Sequence, residues 1–338
     1  MTLYTERIRS RKNAIINGNF DVWQRGWPLV NPQGYTADMW FCTEEMTTGS
    51  MTVTTSTSPK PNLRCNYAYK INIDTAQSSL TANEYIHLLH RIEGYNFLPL
   101  VGHPAVFSFW VYCTTPGTYC VFFRSNNNDR SYVQNFTVNS ANTWEFKRIP
   151  ITFDYSGGTW NYTTGIGLCV GFTPCCGTTY QTATTGQWIS GNYIASTTIS
   201  NNFQKTVNNV FLLSQVQLER GTQATEFEYL NMEETQAEVY RYYQTFYVSA
   251  ADCSIITSGN GVSYGHLTID VMRVAPSIFI VSPLMWSRQN GWRTPTRTSA
   301  TAAAKERITL IFEDTGVSNY TAGDAGLLDL GIILSADF

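Results

Sequence analysis

Three neighbouring segments place large apolar residues at about every second position and are separated by turn residues. Ala105-Val-Phe-Ser-Phe-Trp-Val-Tyr112 ends at Thr114-Thr-Pro-Gly117, and Tyr119-Cys-Val-Phe-Phe123 runs into Ser125-Asn-Asn-Asn-Asp129. Ser131-Tyr-Val-Gln-Asn-Phe-Thr-Val138 follows. A period of two puts successive side chains on opposite faces, which is strand geometry. Similar segments at 144–153, 165–172 and 210–218 continue the series. Strands this short, with turns between them, predict a sandwich or jelly roll in place of alternating βα units.

Composition narrows the choice further. Charged residues make up 14% of the 338, against roughly 25% in ordinary globular proteins, and aromatics also reach 14%. Disorder needs high charge and few aromatics, and helical bundles need Ala, Glu, Lys and Leu. The net charge of −3 draws the chain to neither nucleic acid nor anionic lipid. No apolar run approaches the ~18 residues of a membrane span, so no membrane insertion is expected. The opening MTLYTERIRSRK has charges where a signal peptide needs an apolar core. Cys42, Cys113, Cys120, Cys169 and Cys253 sit among apolar residues, and the adjacent Cys175 and Cys176 are poorly placed to bond each other. All eight cysteines are expected to be reduced, in a protein made in a cytoplasm.

The chain is expected to divide into a basic arm (1–13), a jelly-roll β-sandwich (14–229), one linking α-helix (230–247) and a smaller C-terminal β domain (248–338). The fold class is therefore all-β. Asn231 can cap the helix, Glu233 and Glu234 suit its first turn, and Val239, Tyr240, Tyr243, Phe246 and Tyr247 follow at helical spacing. Strands are expected beyond it at 265–274, 278–281, 307–313 and 327–338. Asn17-Gly-Asn19 predicts a tight turn with Gly18 at positive φ, leading Phe20 and Val22 into a strand. Trp23 and Trp40 are expected in the core, and Glu219 near the basic arm.

Nothing in the residues marks a catalytic site, a cofactor or a metal centre. His87 and His90 have a spacing that suits a metal on a helix, but in a strand it puts them on opposite faces, with His90 partly buried. Gly165-Ile-Gly-Leu-Cys-Val-Gly171 lacks the strand–turn–helix setting of a phosphate loop and is a glycine-containing strand. Asp129, Glu145 and Asp154 lie near loops without being marked as a glycosidase pair.

Several blocks in order resemble a known family. Asn13-Ala-Ile-Ile-Asn-Gly-Asn-Phe-Asp-Val-Trp-Gln-Arg-Gly26 with Tyr35-Thr-Ala-Asp-Met-Trp40 is similar to the opening of bacteriophage and prophage tail-fibre-like proteins. Arg91-Ile-Glu-Gly94 with Gly102 and Ser108-Phe-Trp-Val111, Gly186-Gln-Trp-Ile-Ser-Gly-Asn-Tyr193, Val216-Gln-Leu-Glu-Arg-Gly-Thr-Gln-Ala-Thr-Glu-Phe-Glu228 and Tyr240-Arg-Tyr-Tyr243 fit the same family. The chain departs from it at Tyr240, where the family commonly has Cys, and at Glu226, where it often has Pro. The resemblance implies a jelly roll like that of carbohydrate-binding modules, a place in the virion and a homotrimer. It implies non-enzymatic attachment to a host-surface glycan or receptor, with other virion proteins as partners. Alternatives are a capsid decoration or head-fibre protein held by its arm, and a glycan depolymerase.

Sugars bind exposed aromatic faces with amides and carboxylates nearby. Trp160, Tyr162 and Tyr180, in or beside Thr/Gly/Asn-rich loops, are the candidates in the first domain. Trp286, Arg288, Trp292 and Arg293 form an aromatic and guanidinium loop in the second. Arg7, Arg9, Arg11 and Lys12 are candidates for virion docking. Val239, Tyr240, Tyr243 and Phe246 form the expected oligomer interface.

Overall fold

The structure, a computed structural model, describes residues 11–338 apart from 63, 154–155, 256–261, 288–290, 294–296, 306 and 314–324. It divides into one unit ending at Thr235, with Phe338 added, and a second of Gln236–Asp337.

In the first unit the alternating segments pair into two antiparallel sheets. Sheet one runs in space β1 (Leu29–Val30), β4 (Ser50–Ser56), β5 (Ala68–Thr75), β15 (Val210–Arg220), β7 (Pro104–Cys113) and β10 (Thr143–Thr152). Sheet two runs β13 (Trp188–Ser190), β9 (Arg130–Val138), β8 (Gly117–Arg124), β11 (Ile166–Cys176), β6 (Tyr85–Glu93), β3 (Trp40–Glu45) and β2 (Gln33–Tyr35). Two short strands, β12 (Gln181–Thr182) and β14 (Ala195–Ser196), pair in parallel outside both. The chain crosses between sheets after β1, β3, β5, β6, β7, β9, β10 and β13, and this repeated crossing gives the expected jelly-roll sandwich.

The core lies between the sheets and takes the odd-numbered residues of β7, Phe107, Phe109 and Val111. Phe172 of β11 meets Phe107 and Phe109 at ring distances of 5.5 and 4.8 Å. Phe20 closes one end, 5.0 Å from Trp40 and 5.3 Å from Tyr69. Trp23 and Trp40 are both buried, as expected. Large aromatics bury ~150–250 Å² each, so these rings dominate the apolar gain of the sandwich.

A third layer covers sheet two, and nothing in the strand pattern announced it. Ile194, Ala195 and Ile199 cover Leu89, Phe122 and Cys176 on its outer face. Strand parity therefore sends Cys175 into the main core and Cys176 into this layer. Burial pushes the Cys176 thiol up to about 12, and the seven cysteines of the first unit are free and buried. His90 and His87 also separate by parity. His90 is fully buried, beyond what was expected, with Nε2 3.2 Å from the Ile16 backbone, and burial with the nearby Arg11 charge pushes it down to about 3. On the other face, His87 stacks on Tyr85 at 4.9 Å.

Two local readings need correction. In the Asn17–Asn19 turn, Asn17 and Phe20 adopt positive φ (54° and 58°) while Gly18 does not, and residues 20–22 form no strand. Gly18 is needed for space, because a Cβ there would lie 2.2 Å from the Val216 carbonyl oxygen.

The helix is also shorter than its periodicity suggested. After the single turn α1 (Gly94–Phe97), the second helix α2 spans Met232–Tyr240. Asn231 caps it reciprocally: Glu234 N–H donates to Asn231 Oδ1 (2.8 Å) and Asn231 N–H donates to Glu234 Oε2 (3.3 Å). Tyr243, Phe246 and Tyr247 then lie in strand β16 (Tyr243–Ile255). Aromatic and β-branched residues favour strand pairing, and a partner strand takes over where the helix stops.

In the second unit the seven described strands share one antiparallel sheet. Its order is β19 (Gly291–Arg293), β18 (Ser277–Ser287), β22 (Ala325–Ser335), β16, β17 (Val262–Thr268), β21 (Arg307–Glu313) and β20 (Arg297–Ala304). The strand expected over 265–274 ends at Thr268.

The Gly18 contact yields a stability prediction. Gly18→Ala should destabilise the protein by about 1–3 kcal/mol, because the blocking atom is backbone and cannot rotate away. Urea unfolding followed by circular dichroism checks this, and an unchanged midpoint contradicts it.

Candidate functional site

Because the odd residues of β7 enter the core, Ser108, Trp110 and Tyr112 face away from it. Their partners on the edge strand β10 are Arg148, Phe146 and Trp144. Two aromatic pairs result, Trp110–Phe146 at 5.3 Å and Tyr112–Trp144 at 5.7 Å. The Arg148 guanidinium lies 5.5 Å from the Phe146 ring centre. Phe146 is 37% exposed, and Trp110 and Tyr112 are half-buried. An aromatic stripe therefore lies on the outer face of sheet one.

A bulge in β15 builds the adjoining rim. Ser214 faces Trp110 while Gln217 faces Ser108, so β15 holds one residue more than β7 between those pairs. Gln215 absorbs the excess at φ 50°, a conformation uncommon for a long side chain. Its amide Nε2 donates to the Tyr229 hydroxyl (2.6 Å) and to Asn62 Oδ1 (3.0 Å). Arg64 forms an ion pair with Glu226 and lies 5.3 Å over the Tyr229 ring. Burial pushes the Tyr229 phenol up, so it stays protonated in this network. The result is a groove of about 780 Å³ with Trp110, Phe146 and Arg148 in its floor and Gln215, Glu226 and Tyr229 along its rim.

The aromatics singled out from sequence lie elsewhere. Trp160 and Tyr162 stack on Phe97 of α1 at 5.4 and 6.2 Å, and the Trp160 indole N–H donates to the Gly157 carbonyl (2.8 Å). Tyr180 meets Tyr85 edge-on at 5.2 Å, over the outer layer of sheet two. All three are half-buried. The 286–297 segment is in part a hairpin, where Trp286 of β18 pairs with Trp292 of β19 and Arg293 continues β19; Arg288 lies outside the described residues.

Arg7 and Arg9 also lie outside the described residues, whereas Arg11 and Lys12 are engaged within the chain. Arg11 donates to the Ile15 carbonyl (2.7 Å). Lys12 Nζ lies 3.8 Å from Glu219, as expected of that carboxylate, and donates to the Glu226 carbonyl (2.6 Å). Of the expected oligomer interface, Val239 and Tyr243 are buried within the chain, Tyr240 is half-buried and Phe246 lies in β16. The strand that replaces the end of the helix moves the exposed apolar surface. Tyr247 (65% exposed) and Val281 both pair with Gly331, and Phe279 (56%) pairs with Ile333, so they share one sheet face.

The groove residues Trp110, Phe146, Arg148, Gln215 and Tyr229 were missed by sequence reasoning. A signal existed, because the alternation that puts Phe107 and Phe109 inward puts Trp110 and Tyr112 outward. Among the described residues no metal-ligating cluster forms.

No protein-family model and no curated protein matches the chain. Solved structures similar to it include the enzymatically active domain of tailspike protein 4 of bacteriophage CBA120. The match has 10% identity and a TM-score of 0.35, over 62% of this chain and 21% of that one. A CBM4 structure is similar at 15% identity and a TM-score of 0.33, over 61% of this chain and 99% of that one. TmCBM61 in complex with β-1,4-galactotriose is similar at 9% identity and a TM-score of 0.32, over 62% and 100%. The chain thus spans about a fifth of the tailspike it matches. Scores this low say nothing of what the chain binds.

The loop carrying Trp160 has its own electrostatic anchor. The Ser125 hydroxyl, the Thr159 hydroxyl (2.6 Å) and the Thr159 N–H (2.9 Å) all donate to Asp129, and together they lower its pKa to about 2. A depressed carboxylate stabilises the fold above its unfolded value, 3.8, and that contribution is lost as pH falls towards about 2. Asp129→Asn should therefore flatten the acid dependence of stability in that window and shift Trp160 fluorescence. Acid titration of both proteins checks this, and parallel curves contradict it.

Proposed function

We propose that this chain is a phage virion protein of the tail-fibre type that attaches, without catalysis, to a host-surface glycan through the groove on sheet one. The exposed Trp110–Phe146 pair carries the proposal. Sugar rings present apolar C–H faces that stack on aromatic rings, and their hydroxyls need amide and charged partners at the edge. Asn62 and Arg148, both exposed, offer such groups beside the pair, and Gln215 holds Asn62 in place. Glu226 is the one carboxylate among the described lining residues, and Arg64 occupies it, whereas glycoside hydrolysis needs two carboxylates across the bond. Retention in place of cleavage is the chemistry this groove offers. The virion setting rests on the sequence resemblance at 13–247.

Anchoring through the arm, as in a capsid decoration protein, is less favoured, because Arg11 and Lys12 already have partners within the chain. The homotrimer is instead assigned to the face bearing Tyr247, Phe279 and Val281, since exposed apolar patches mark contact surfaces.

Trp110→Ala should lower affinity for glycan-array hits by about tenfold or more, with the circular dichroism spectrum unchanged. Unaltered array binding by this variant removes the groove from the proposal. Phe279→Ser should shift the sedimenting mass from trimer towards monomer, and a wild-type monomer contradicts the assembly.

A further inference from the structure

We propose that the groove selects glycans bearing a carboxylate, and that Arg148 reads that charge. The inference rests on the glycan reading above and deepens it.

Most of the charge in the groove is already compensated within the chain. Among the described residues three charged side chains line it: Arg64, Arg148 and Glu226. Arg64 and Glu226 neutralise each other. The Arg148 side chain is exposed and has neither ion pair nor hydrogen bond among the described residues; its described side-chain contact is the Phe146 ring. The groove therefore carries one uncompensated positive charge, and that charge sits beside the aromatic pair.

Position makes it useful. Arg148 lies directly across from Ser108, and Phe146 directly across from Trp110, so the two pairs are successive rungs on the same face. Rungs two residues apart are separated by roughly 7 Å along the strands. The guanidinium leans back over Phe146, which narrows that gap. A sugar ring stacked on Trp110 and Phe146 would thus carry a ring substituent to the guanidinium. Ser108 adds a hydroxyl with no described side-chain partner, facing Arg148 across the strand pair.

Among the groups that sugars carry, a carboxylate matches this arrangement best. A guanidinium presents parallel N–H donors in a planar fork that a carboxylate accepts in two bonds, whereas a neutral hydroxyl uses one. The groove wall also removes water from part of the surroundings, which strengthens the attraction relative to an open surface. Because Arg148 is exposed, the attraction should weaken with salt.

The test uses the full-length chain and isothermal titration with matched probes. Oligogalacturonate, oligoguluronate and glucuronic acid oligomers are each compared with their carboxyl-reduced neutral counterparts of equal length. At low salt at least one acidic member should bind about tenfold or more tighter than its neutral counterpart, and the margin should shrink as salt is added. Arg148→Gln should bring the acidic and neutral affinities together, and Arg148→Lys should restore part of the margin. Equal binding of acidic and neutral members by the wild type overturns the selectivity while leaving glycan attachment standing. A margin that survives in Arg148→Gln overturns the assignment to Arg148. Failure to bind any probe of either kind overturns both readings.

Discussion

The first unit depends on the contact between Gly18 and Val216. β15 runs between β5 and β7, in the interior of sheet one, and it carries an extra residue where it faces the site. A bulge in such a strand must satisfy its displaced backbone groups or lose stability. Val216 N–H donates to the Gly18 carbonyl (2.8 Å), and Asn13 Nδ2 donates to the Val216 carbonyl (3.1 Å). Only a residue without a Cβ allows so close an approach. The N-terminal turn thus holds the bulge, and the bulge sets Gln215 on the groove rim. The unusual Gln215 backbone, which costs of order 1–3 kcal/mol, is offset by its bonds to Asn62 and Tyr229.

The second constraint is strand parity. β7 supplies Phe107, Phe109 and Val111 to the core and Ser108, Trp110 and Tyr112 to the outer face from one run of residues. A slip of one residue would exchange the two sets and lose both core and groove. The proposed recognition surface is therefore held by the same pairing that stabilises the sandwich.

Much of this was legible in the sequence, and the misses have physical causes. Period-two runs located β7, β8, β9 and β10 to within about two residues at each end, since alternation is a local signal. The Asn231 cap was legible for the same reason. The end of α2 was not, because Tyr243 and Phe246 fit helical spacing equally well and only pairing with β22 decides between the two. Gly18 was given a conformational role when its requirement is space, which depends on a strand about two hundred residues away. The groove was missed because loop aromatics drew attention. Trp160 and Tyr162 prove to be packed on Phe97, while Trp110 lies on the outward face of a strand, where period-two alternation alone does not mark a ligand surface.

The central claim is that ligand binds on the outer face of sheet one and not at the loop aromatics. A crystal structure of the chain with an oligosaccharide taken from its strongest array hit tests this most directly. The expected result is a sugar ring stacked on Trp110 and Phe146, within reach of Asn62 and Arg148. Sugar density over Trp160 and Tyr162, or over Tyr180, with the groove empty, would contradict it.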